Sequence, residues 1–109
     1  MLSWERSLNI PKNMRMSSMK YYTNIVPTSL YSKLLEKGMP ELLETYAEVF
    51  DWLMTKGIIV HIHPDRYHYR RIDMWRYVCY SRHKFASGIA YGWIKTADEA
   101  IRCAIEQLI

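Results

Sequence analysis

Two hydrophobic periods divide this chain, a helical one up to Gly57 and again near the end, and a period of two between them. Leu30, Tyr31, Leu34 and Leu35 recur at helical spacing, so a short helix is predicted from Pro27-Thr28 to Gly38. Met39-Pro40 interrupts it. A second helix follows, opened by the capping box of Thr45 and Glu48, with Tyr46, Val49, Phe50 and Leu53 on one face and Lys56-Gly57 as its stop.

From Ile58 onward side chains alternate. Ile58, Val60 and Ile62 share one face of a predicted strand over 58–63, and Ile59, His61 and His63 the other, until Pro64-Asp65 ends it. The stretch 67–72 fits either an extended hairpin arm or a long loop. A second strand is predicted over 74–81, with Trp75, Tyr77 and Cys79 opposite Arg76, Val78 and Tyr80. A third, over 85–94, alternates Ile89, Tyr91 and Trp93 and is entered through a turn at 82–84. Thr96 and Glu99 read as a second capping box, opening a helix whose stripe is Ala97, Ala100, Ile101, Ala104, Ile105 and Leu108. The strand connections leave no room for crossovers. The expected fold is therefore α+β, a three-stranded antiparallel meander packed by helices in the order α-α-β-β-β-α.

Residues 1–22 show no sustained period and are expected to form an irregular arm, with Trp4 and Leu8 as anchors and Met14, Met16 and Met19 as alternative starts. Residues 23–109 form the single domain. A chain of 109 residues, half of them apolar, supports one modest core. Cys79 and Cys103 fall within predicted elements and make no disulfide framework, which favours a reducing cytoplasm. No apolar run approaches the roughly 18 residues of a membrane span, and charges and Pro11 interrupt the first twenty residues where a signal peptide needs an apolar run. No membrane role is expected.

The net charge of +4 is uneven: segments 1–20, 21–57, 58–84 and 85–109 carry +3, −2, +4 and −1. The positive field belongs to the arm and the strand region.

The segments YAEVFDWLMTKGIIVHI and TADEAIRCAIEQLI, flanking an aromatic strand, resemble a family of small uncharacterised proteins from Bacteroidetes genomes and their phages or mobile elements. In that family a Trp-Leu helix end leads into an Ile-rich strand and the last helix opens Thr-x-x-Glu-Ala. The resemblance covers 26–109, including SLYSKLLEKG, and implies the same fold and a cytoplasmic setting. It carries no activity and no catalytic residues. The basic run 67–71 and the first twenty residues depart from its pattern. The order helix, three strands, helix is also that of the double-stranded RNA-binding domain, whose last helix opens with lysines. Here Thr96, Ala97, Asp98 and Glu99 stand there, and the acids would repel RNA.

The one stretch with binding chemistry is 66–84. Arg66, Arg70, Arg71, Arg76, Arg82 and Lys84 suit phosphates, while Tyr67, Tyr69, Trp75 and Tyr80 offer rings on which bases stack. The same residues also suit a solvated strand face. His61 and His63 point the same way and, with His68 or His83, are weak candidates for a metal site. No carboxylate pair, nucleophile-base pair or glycine-rich phosphate loop is present, so neither catalysis nor a cofactor is expected. The leading expectation is a small binding protein acting through protein association, a homodimer included. Nucleic-acid binding through 66–84 is the alternative.

Overall fold

The computed structural model describes residues 20–65 and 73–108. Three helices and three strands follow the expected order: α1 (Thr28–Glu36), α2 (Tyr46–Thr55), β1 (Ile59–Pro64), β2 (Met74–Tyr80), β3 (Phe85–Tyr91) and α3 (Trp93–Gln107). The expectations for Trp4, Leu8 and the stretch 67–72 lie outside the described residues. Residues 20–22 are helical rather than irregular, and Tyr22 is buried, so the end of the expected arm belongs to the core.

Each N-terminal helix stops at a glycine with positive φ, Gly38 (99°) and Gly57 (80°), a conformation that a Cβ penalises. Both ends are Schellman motifs. Met39 N–H donates to Leu34 O and Gly38 N–H to Leu35 O; Ile58 N–H donates to Leu53 O and Gly57 N–H to Met54 O. Leu34 with Met39, and Leu53 with Ile58, are buried, which supplies the apolar contact such ends favour. The capping box of α2 forms as predicted, with Glu48 N–H donating to Thr45 Oγ1 and Thr45 N–H to Glu48 Oε1.

The start of α3 departs from the sequence reading in two ways. β3 ends at Tyr91, and Gly92 (φ 78°) turns the chain so that α3 begins at Trp93, three residues before the expected cap. Thr96 is therefore inside the helix, fully buried, and its hydroxyl donates to Gly92 O at 2.8 Å, so no capping box forms with Glu99. Trp93 is a core residue at the helix start, not a strand residue. Its ring stacks on Tyr21 and meets Tyr22 and Tyr46 edge-on, at centroid distances of 5.4, 4.8 and 5.3 Å. Burial of this apolar cluster overrides the local cap signal.

The sheet is antiparallel in the order β1-β2-β3. Opposed residues share a face, so Ile62, Tyr77 and Gly88 form one inward row, and Val60, Cys79 and Ala86 another. α3 crosses β2 and β3, while α2 packs on β1. β3 turns only Ala86, Gly88 and Ala90 inward, and α3 brings Ala97, Ala100, Ile101 and Ala104, all without exposed surface. Small residues on both sides let helix and sheet approach closely. Tyr46 Oη donates to Asp98 Oδ1 at 2.6 Å, tying α2 to α3.

Candidate association face and the basic cavity

Helices occupy one side of the sheet, and no described element lies over the other. The register arranges that outer side in four rows: Ile59, Tyr80 and Phe85; His61, Val78 and Ser87; His63, Arg76 and Ile89; Met74 and Tyr91. The two end rows are wholly apolar or aromatic, and the polar groups sit between them. Phe85 is 67% exposed, Tyr91 54% and Tyr80 38%, high values for rings on a sheet face. Trp75 and Tyr77 face the helices, Trp93 lies in the core, and Tyr91 faces outward.

The charges of this face are largely neutralised. Arg76 Nη2 lies 3.7 Å from Asp65 Oδ1, whose side chain has no exposed surface. Burial, reinforced by the neighbouring His63, holds His61 below its ordinary protonation range, and its ring stacks on Tyr80 at 6.2 Å between centroids. His63 Nδ1 lies 3.2 Å from Pro64 O. His61 and His63 project side by side as expected, but among the described residues no cluster of three or more His, Cys, Asp or Glu could hold a metal.

The predicted binding residues divide among three places. Arg66, Tyr67, Tyr69, Arg70 and Arg71 lie outside the described residues. Arg76 and Tyr80 belong to the outer face. Arg82 and Lys84 sit in the turn between β2 and β3, closed by Ser81 N–H donating to Lys84 O at 2.8 Å.

A further feature was missed by the sequence reading. A cavity of about 350 Å³ opens where the three helices end, lined by Lys37, Lys56, Arg82, His83 and Gln107 among others and, among the described residues, by no carboxylate. The only trace of it in the sequence is the repeated Lys-Gly at 37–38 and 56–57, which marks two helix ends without showing that they meet.

The Cys79 thiol is not poised for chemistry. Cys79 is fully buried and its pKa is pushed up to about 12 by burial, while Cys103 Sγ lies 3.4 Å from Tyr77 Oη. Among the described residues no helix is long and apolar enough to cross a membrane. No protein-family model matches the chain, and comparison with curated proteins and with solved structures gives no match either.

Proposed function

We propose that the protein is a cytoplasmic binding module that acts by self-association, a second copy laying its sheet on the outer sheet face. The observation that carries this reading is the exposure of Phe85, Tyr91 and Tyr80 on a face whose one described arginine is paired with Asp65. Nucleic-acid binding needs unpaired cations beside the stacking rings, and among the described residues this face offers few. An apolar, nearly neutral face instead suits a second apolar surface, and two copies of it do not repel. A two-fold axis crossing the strands would lay the row of Ile59, Tyr80 and Phe85 over the row of Met74 and Tyr91 of the other copy, an isologous contact of rings on apolar groups.

Strand spacing of about 4.8 Å and rise of about 3.4 Å give a three-stranded face of seven residues an area of about 340 Å². Two such faces bury less than the roughly 1,200 Å² at which stable interfaces begin, so the dimer is a weak, reversible one. The resemblance to small Bacteroidetes and phage proteins assigns no activity, so the reading rests on the face. Two unpaired cysteines fit a reducing compartment.

Light scattering over a concentration series tests it. A mass rising from one chain toward two, and held at one by Phe85→Ser or Ile89→Lys, is expected. A single chain at every concentration overturns the reading. So does a chain started at Lys20 that pairs where the full chain does not, which would give the face to residues 1–19. Oligonucleotide binding that weakens with salt and falls on Arg82→Gln with Lys84→Gln would favour the nucleic-acid reading instead.

A further inference from the structure

The C-cap residues of all three described helices, Lys37, Lys56 and Leu108, line one cavity, and Arg82 and His83 of the β2–β3 turn complete its rim. Lysines at helix ends commonly offset the negative pole of the helix, and Lys37 Nζ does lie 3.5 Å from Leu108 O. That explanation covers only part of the charge. Three helix ends bring roughly −1.5 charges, whereas Lys37, Lys56 and Arg82 bring three full positive ones to a cavity that no carboxylate lines among the described residues. Lys56 rests its ammonium 5.6 Å from the Trp52 ring centroid, and Arg82 has no acidic partner among the described residues.

Gln107 lines the cavity, but its amide oxygen is turned away from the accessible space. Gln107 Oε1 is buried and accepts no hydrogen bond, while Nε2 of the same amide lies 3.5 Å from Cys79 Sγ. The volume of about 350 Å³ falls within the roughly 300–1,000 Å³ of small-molecule sites.

We propose that this cavity binds a small phosphate-bearing molecule. Lys37 and Lys56 supply the ammonium donors, and the Arg82 fork meets two phosphate oxygens at once. The site shares no residue with the outer sheet face and stands or falls apart from it.

Calorimetric titration of the full chain with pyrophosphate, adenosine monophosphate and a single-stranded oligonucleotide, in buffer free of phosphate and sulfate, tests the proposal. Saturable binding of the two small anions is expected, weakened about tenfold by Arg82→Gln and by Lys56→Gln. Lys95→Gln, at the opposite end of α3, should leave it unchanged, and melting curves show that each variant is folded. Absence of saturable binding overturns the proposal, as does equal affinity in all variants. Binding of the oligonucleotide alone also overturns it, since the cations would then serve an open polyanion surface.

Discussion

The ring of Tyr77 lies across the Cα of Gly88 on the neighbouring strand, where a Cβ would stand 2.6 Å from Tyr77 Cε2. The ring cannot retreat freely, because its hydroxyl lies 3.4 Å from Cys103 Sγ and the residue is buried between sheet and α3. Gly88→Ala should therefore cost about 1–3 kcal/mol in chemical denaturation. In a Tyr77→Leu background, where no ring covers the glycine, the same change should cost much less. Equal penalties in both backgrounds would show that the ring is not the obstacle.

Tyr46 and Asp98 make the second relationship that mutation can read. Burial raises the Asp98 pKa above its ordinary 3.8, and the Tyr46 hydrogen bond and Arg102 draw it only partly back. The folded chain then holds this proton more tightly than the unfolded one, so this group favours folding as pH falls through the window just above 3.8. Tyr46→Phe should destabilise by about 1–3 kcal/mol at neutral pH, because a half-buried carboxylate loses its donor. Asp98→Asn keeps an acceptor without the charge. It should hold or raise the melting temperature at neutral pH and remove this group's share of the gain on acidification.

The two Thr-x-x-Glu sequences should behave differently. The Thr45 N–H holds the Glu48 carboxyl below its ordinary 4.5, so that group contributes stability above 4.5 that fades as pH drops through its lowered value. Thr45→Ala should cost about 1 kcal/mol and Glu48→Gln should flatten the acid limb of the stability curve. Glu99→Gln should leave stability at neutral pH unchanged, because no capping box forms at Thr96.

His61 gives the proposed dimer a pH dependence. Its neutral form is favoured by burial and by His63, with Arg76 and Tyr80 as its other neighbours on the face. Pairing two faces would desolvate His61 further, so the dimer should hold above the lowered His61 pKa and separate as pH falls through it, with a midpoint below 6.5. Sedimentation between neutral and mildly acidic pH would measure this. A midpoint at or above 6.5 would contradict it.

Cys79 should resist alkylation at mildly alkaline pH while Cys103, which is partly exposed, reacts first. Peptide mapping after iodoacetamide treatment distinguishes the two, and labelling of Cys79 should keep pace with unfolding. Rapid labelling of Cys79 in the folded chain would contradict its burial.

Most of the fold was legible because its signals are local. Glycine after lysine stops α1 and α2, the Thr45–Glu48 spacing opens α2, and the period of two around Val78 defines β2 and its faces. The start of α3 was misread because Thr96-Ala-Asp-Glu99 carries a real cap signal that packing overrules: Trp93 belongs to the aromatic cluster only if the chain turns at Gly92. The candidate site was half legible. Alternation placed Arg76 and Tyr80 on one face, but the Asp65 partner of Arg76 and the meeting of Lys37, Lys56 and Gln107 depend on residues far apart in the chain.

The seam between α3 and β3 restricts how this sequence can drift. Where Ala86, Gly88 and Ala90 face Ala97, Ala100 and Ala104, side chains have almost nothing left to lose, so substitution there runs only toward larger residues and meets backbone or ring. Changes of core volume must be absorbed on the far side, where Leu30, Leu34, Phe50 and Met39 can be exchanged among residues of similar bulk. Variants that fold should accordingly differ in α1 and α2 before they differ along this seam.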